Sequence, residues 1–148
     1  MRFLRELARA GTKVSWDCLA FCVLGTHYHL VLDVDDGALS KGMHALNFRY
    51  AMGFNSRHRM KGHVTGRRFD SRRIEDDDDL LGVFAYVARN PVKAGLCASP
   101  VEWPWSSYPS TVGLSEPSSF VDANRIVGCL GEGREVAIAR LRKFVENS

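Results

Sequence analysis

The sequence predicts an α+β fold, a small antiparallel sheet with helices on one side, and three observations predict it. Two consecutive stretches, 14–24 and 28–34, place apolar residues at every second position, the period of a strand with one face on a core. Four others, 2–10, 39–57, 80–87 and 134–144, carry apolar residues at the three- and four-residue spacing of a helix. Finally, 148 residues with 45% hydrophobic and 25% charged side chains match one globular domain that can close a core without disulfide or metal staples.

Along the chain, Phe3, Leu4, Leu7 and Ala8 share one face of a first helix, with arginines opposite and Gly11 as its stop. Val14, Trp16, Cys18, Ala20, Cys22 and Leu24 then alternate along a strand. After a break at Gly25-Thr26 the alternation resumes from Tyr28 to Val34 and ends in the turn signal Asp35-Asp36-Gly37, so the two strands form an antiparallel hairpin. Leu39, Met43, Leu46, Tyr50 and Phe54 predict a helix over 39–57. Residues 57–68 lack an apolar period and hold two glycines, which predicts a basic loop, and 69–74 is expected to add a short strand. The acidic run Glu75 to Asp79 precedes the helical pattern of Leu80, Leu81, Phe84, Tyr86 and Val87. Carboxylates at a helix N-terminus satisfy its free N–H groups and its dipole, so the run is read as a cap in preference to a calcium site. Pro91 is expected to end that helix, because the residue before a proline is pushed out of the α region. Trp103, Pro104, Trp105 and Tyr108 follow, then a loop over 109–117, then a last helix with Val136, Ile138, Leu141 and Phe144 or Val145 as its apolar face.

Charge is unevenly spread. Between Lys41 and Arg73 stand nine basic residues and one acid, Asp70, so this segment carries +8 and the rest of a chain of net charge +3 carries −5. A basic third on an acidic remainder suits phosphate binding, although a solvated helix surface would look the same by charge alone. The longest apolar run, Cys18 to Leu24, is seven residues, whereas a membrane helix needs about 20, so no membrane partner is expected. The first ten residues interleave Arg2, Arg5, Glu6 and Arg9 with apolar positions and hold no signal-peptide core, which predicts a cytoplasmic protein. Cys18, Cys22, Cys97 and Cys129 fit neither a CxxC pair nor a disulfide framework and read as buried free thiols.

Two features carry chemistry. In His27-Tyr28-His29 the imidazoles are two positions apart, so on a strand both lie on one face and can converge on one cation; two exposed or core-satisfied histidines are the competing reading. Tyr86 and Asn90 are one helical turn apart on one face. A helical tyrosine is ordinarily core. A phenol, with a pKa of about 10, attacks phosphorus well only beside a cation or base. An Asn amide oxygen is a hard donor suited to Mg²⁺ or Mn²⁺, and would complete a set of two histidines and one amide.

His27-Tyr28-His29-Leu30, the run Tyr86-Val87-Ala88-Arg89-Asn90-Pro91-Val92-Lys93-Ala94-Gly95, and Trp103-Pro104-Trp105-Ser106-Ser107-Tyr108 together resemble the single-tyrosine HUH transposases, and among them the REP-associated tyrosine transposase branch. Leu46-Asn47-Phe48-Arg49-Tyr50 and the stretch from Gly62-His63 to Arg68-Phe69 also look like that branch. The resemblance runs from residue 1 to about residue 146, and its five pieces stand in the family's order. It implies a ferredoxin-like HUH endonuclease fold, with the transposase domain over 1–108 and a C-terminal loop and helix over 109–148. It implies a DNA nickase and strand transferase using Mg²⁺ or Mn²⁺, with His27, His29 and Asn90 as metal ligands and Tyr86 as the nucleophile that forms a 5′-phosphotyrosine link. Single-stranded or hairpin DNA would be the partner, contacted through Lys41, Arg49, Arg57, Arg59, Lys61, Arg67, Arg68, Arg72 and Arg73, with binding that weakens in salt. A homodimer would match the family's habit.

The sequence departs from the family pattern at Leu24-Gly25-Thr26, where Met-Pro-Asn usually precedes the first histidine, and at Ala88, where a further histidine is common. Family members also begin with a strand bearing a Gly-Asn-x-Arg-like stretch, and this chain starts inside the helix that follows it. The expectation is therefore a fold lacking its first strand, with an open edge beside the histidine strand. Two other functions fit the same residues: a catalytically impaired or domesticated DNA-binding module, and a metal phosphoesterase built from His27, His29 and Asp33.

Overall fold

The computed structural model describes residues 2–35, 37–66 and 68–148; Met1, Asp36 of the turn signal and Arg67 of the basic loop lie outside the described residues. The fold is α+β. Strands β1 (Trp16–Val23) and β2 (Tyr28–Val34) form a two-stranded antiparallel sheet. The helices are α1 (Arg2–Gly11), α2 (Ala38–His58), α3 (Asp77–Lys93), α4 (Tyr108–Thr111), α5 (Ala123–Gly128) and α6 (Arg134–Asn147), with a 3₁₀ turn over Pro100–Glu102. The chain divides into two compact units, one of residues 1–17 and 34–73, the other of residues 18–33 and 74–148.

The second unit holds the larger core, in which Leu19, Ala20, Cys22 and Leu24 of the first strand region and Val31 of β2 meet Leu80, Phe84, Ala85 and Ala88 of α3, Tyr108, Ile126, and Leu141 of α6. The hairpin closes tightly: the Leu24 N–H donates to the His27 carbonyl at 2.8 Å, leaving Gly25 and Thr26 as the loop. Backbone groups alternate sides along a strand. Leu24 thus faces β2, and Phe21 and Val23 face the opposite edge. There the Trp103–Ser107 segment lies along β1: the Val23 N–H donates to the Trp105 carbonyl at 2.8 Å, the Ser107 N–H to the Phe21 carbonyl at 3.0 Å, and the Trp103 indole N–H to the Val23 carbonyl at 3.0 Å. The aromatic run seen in the sequence is thus a backbone partner for β1. Cys18 and Cys22 are buried and free, and burial pushes both thiols up to about 12, whereas Cys97 and Cys129 are only half-buried.

Helix α3 starts as the acidic run predicts. The Asp76 carboxylate accepts from the Asp79 N–H at 2.8 Å, with Asp77, Asp78 and Asp79 in the first turn. It does not stop at Pro91, which lies inside the last turn. The hydrogen bond a proline cannot donate is one of few left at that end, and the chain still closes through Ala94 N–H to Asn90 C=O and Leu96 N–H to Pro91 C=O, both at 2.9 Å. No strand forms over 69–74, where the polar run Asp70 to Arg73 is exposed and offers no alternating apolar face to bury. In α6 the buried stripe is Ala137, Leu141 and Val145, spaced by four; Val136 and Phe144 stand exposed beside it. The Arg89 guanidinium donates to the Val145 and Glu146 carbonyls, both at 3.1 Å, and so covers groups that α6 leaves unpaired at its end. Helices α4 and α5 are four and six residues long, too short to show a period in the sequence.

In the first unit α1 buries Phe3, Leu7 and Ala10, and α2 buries Met43 and Leu46. Phe3 meets Tyr50 edge to face, with ring centroids 5.5 Å apart. Gly37, with φ of 80°, turns the chain into α2. Gly42, inside α2, faces the buried Trp16 ring, and a Cβ there would lie 2.3 Å from a ring carbon. Alanine is the better helix former by about 1 kcal/mol. Gly42→Ala is nonetheless expected to cost about 1–3 kcal/mol, because the indole must be displaced from a packed site. Urea unfolding reads this as a lowered midpoint; a raised midpoint would show that helix propensity outweighs the Trp16 contact.

Candidate active site

The hairpin and α3 bring the predicted histidines, tyrosine and asparagine together within the second unit. His27 is the residue that closes the reversal and His29 is the second residue of β2, so strand parity places both rings on one face. Their centroids are 5.1 Å apart, nearly perpendicular at 87°. Helix α3 spends its other faces on the core through Leu80, Leu81, Phe84, Val87 and Ala88, which leaves Tyr86 half exposed at 49%. The Tyr86 ring meets His29 edge to face at 5.5 Å.

The polar atoms of the cluster are held by specific partners. Thr26 Oγ1 and His27 Nδ1 are 3.0 Å apart, and in the tautomer in which Nδ1–H donates to the hydroxyl, the Nε2 lone pair is left for a ligand. His29 Nε2 is buried with no hydrogen-bond partner. Burial lowers the His29 pKa from its ordinary value and the adjacent His27 lowers it further, while a hydrogen bond with the Asn90 side chain pulls the other way. The lowering favours the neutral imidazole, the form that binds a cation. The Asn90 amide donates from Nδ2 to the Tyr86 carbonyl at 2.8 Å, which ties its orientation to the helix turn that carries the tyrosine.

Lys93 joins the cluster unpredicted. Its Nζ lies 5.1 Å from the centre of the Tyr86 ring, a cation over the aromatic face. The signal was present in the spacing: Tyr86, Asn90 and Lys93 are i, i+4 and i+7 on one helix face.

Among the described residues, no group of three or more His, Cys, Asp and Glu side chains is placed to hold a metal ion. His27, His29 and Asp33 thus do not assemble as the phosphoesterase reading requires; His29 and Asp33 stand four steps apart along the strand, about 13 Å at 3.3 Å per residue. The donors that do assemble are two imidazoles and one amide. An orphaned, buried His29 Nε2 is the observation that suits such a set to a divalent cation, since a lone pair withdrawn from water without a partner is costly to leave unused.

The basic residues belong to the other compact unit. Lys41, Arg49 and Arg57 lie on α2, Arg59 caps it with φ of 52°, and Lys61, Arg68, Arg72 and Arg73 follow in the segment without regular structure; all are exposed except the half-buried Arg49. Arg67 falls outside the described residues.

No family model matches the chain, and no solved structure matches it. A curated protein of Haemophilus influenzae (strain ATCC 51907 / DSM 11121 / KW20 / Rd), named "Putative REP-associated tyrosine transposase", is 29% identical to it over an alignment of 108 residues that covers 63% of this chain. The match spans 59% of that protein's own length, less than two thirds. Over that stretch the chain is similar to a protein that bears the name of a REP-associated tyrosine transposase.

Proposed function

We propose that the chain nicks and transfers single-stranded DNA during transposition, with Tyr86 as nucleophile and His27, His29 and Asn90 as the ligands of Mg²⁺ or Mn²⁺. The observation that carries this reading is the convergence of both histidine rings, Tyr86 and Asn90 within one unit, with the His27 and Tyr86 rings each within 5.5 Å of His29. When bound, the cation would polarise the scissile phosphate and ease departure of the leaving oxygen.

The chain's own residues account for the rest. Half-exposed on a rigid helix, the Tyr86 hydroxyl is accessible to a phosphodiester while its backbone is fixed by the packed face behind it. Its oxygen forms a bond to phosphorus and the P–O3′ bond breaks, so the phosphoryl group stays on the 5′ end of the downstream strand as phosphotyrosine. The phenolic proton passes to solvent water and the departing O3′ takes one from it, leaving a free 3′-hydroxyl that can attack the phosphotyrosine in the reverse sense to join strands. Lys93 brings a positive charge beside the nucleophile, where a phosphodiester carries its negative charge. The Nδ2 bond of Asn90 to the Tyr86 carbonyl keeps the amide beside His29.

Tyr86→Phe is expected to abolish the covalent protein–DNA adduct on a denaturing gel while leaving single-strand binding intact; an adduct that survives the substitution would falsify the assignment. Adduct formation should stop in EDTA and return with Mg²⁺ or Mn²⁺, and Asn90→Ala should raise the metal concentration needed. A reaction indifferent to EDTA would remove the histidines from the metal role. Lys93→Met is expected to slow adduct formation on the order of tenfold with little change in DNA affinity, a smaller loss than for a buried electrostatic group because the lysine is exposed. An unchanged rate would leave the ammonium a packing partner of the ring. Binding without any adduct in the unaltered protein would favour the DNA-binding module over the enzyme.

A further inference from the structure

Helix α2 exposes a row of side chains that the proposed chemistry does not use. Lys41, His44, Phe48, Met52 and Ser56 recur at three- and four-residue spacing, so they stack on one face of the helix, and all five are exposed. Phe48 and Met52 are 57% and 58% exposed, large apolar groups with nothing over them among the described residues. The His44 and Phe48 rings run nearly parallel, 12° apart with centroids at 6.2 Å, so each turns a flat face the same way. The opposite side of the helix buries Gly42, Met43, Leu46 and Gly53, so the row is not a spare copy of the core face.

Charge selects what fits this row. From Gly37 to Phe69 no Asp or Glu occurs, while Lys41, Arg49, Arg57, Arg59, Lys61 and Arg68 do. A polyanion with a flat apolar group on every unit complements both features at once, the exposed apolar side chains and the cations beside them. Stacking on an aromatic platform within a cationic surface is how unpaired bases are held without reading their sequence. A duplex hides those ring faces inside its own stack.

We propose that the His44–Phe48–Met52 face of α2 is a stacking site for unpaired nucleobases, with Lys41 and the neighbouring arginines taking the phosphates. It rests on the reading of the chain as a protein that acts on single-stranded DNA, and it adds a binding site for unpaired bases on the unit that does not carry Tyr86.

The test compares two labelled strands of equal length by fluorescence anisotropy at fixed salt: oligothymidine, and the same backbone with abasic sites in place of the bases. Phe48→Ala is expected to weaken oligothymidine binding about tenfold and to leave the abasic strand unaffected, since a stacked base is worth about that factor and a phosphate contact is not lost. Phe48→Trp should restore affinity, which a merely structural defect would not allow. Equal losses on both strands, or no loss on either, would overturn the proposal; so would a variant that binds normally but sediments as a smaller species than the unaltered protein, which would make the face a protein interface. Adduct formation by Tyr86 at saturating strand concentration is read in the same variant and should persist. Failure of the adduct in the unaltered protein would fall on the enzymatic reading alone, because the comparison of the two strands needs no cleavage.

Discussion

One backbone hydrogen bond, from the Leu24 N–H to the His27 carbonyl, sets the register on which the site depends. With only Gly25 and Thr26 between them, Leu24 and His27 are forced opposite each other, and strand parity then assigns every later side chain of β2 to a face. His27 and His29 come out together because they are two apart. A slip by one residue would send both imidazoles to the far face and bring Tyr28 and Leu30 in their place. The register is protected from the other side as well: Phe21 and Val23 spend their outward backbone groups on Trp105, Ser107 and the Trp103 indole, so β1 has pairing along both edges at the turn end.

The second half of the site is fixed by a helix rather than a strand, and by burial rather than hydrogen bonding. Helix α3 is clamped along Leu80, Phe84, Ala88 and Pro91, and Tyr86 is displaced from that stripe far enough to stand half exposed. The same packing carries Asn90 and Lys93 to the tyrosine's side. What would be chemically idle on separate elements becomes a cluster of two imidazoles, a phenol, an amide and an ammonium. The burial that leaves His29 Nε2 without a hydrogen-bond partner also lowers that ring's pKa and so favours its neutral form.

Much of this was legible in residue order because local rules agreed with the tertiary outcome. Period-two alternation locates β2 at its observed ends, Tyr28 and Val34, and puts both histidines on one face; the aspartates before Leu80 mark the start of α3 because a free helix N-terminus wants carboxylates. Legibility failed where two rules competed or a contact was distant. Pro91 reads as a helix breaker, but so close to the end of α3 the lost donor matters little. Val136 and Phe144 look as apolar as Ala137 and Val145, and only the packing of α6 decides which pair is buried. The pairing of Trp103–Ser107 with β1 joins residues some eighty positions apart and has no local signature. Lys93 was in plain sight but meaningless until a tyrosine ring lay under it.

The resemblance read from short motifs and the 29% identity to the Haemophilus influenzae protein point to the same family, and the clustered residues are those the motifs contain. The central claim is that Tyr86, and no other residue, becomes covalently joined to the 5′ end of a DNA strand. Mass spectrometry of the protein digested with trypsin after incubation with a single-stranded oligonucleotide and Mg²⁺ addresses it most directly, since Ile74 to Arg89 forms one tryptic peptide containing Tyr86 as its sole tyrosine. The predicted result is a nucleotide-bearing form of that peptide, with fragment ions placing the added phosphate on Tyr86. An adduct on Tyr28, Tyr50 or Tyr108, or a cleaved strand with no protein attached, would contradict it.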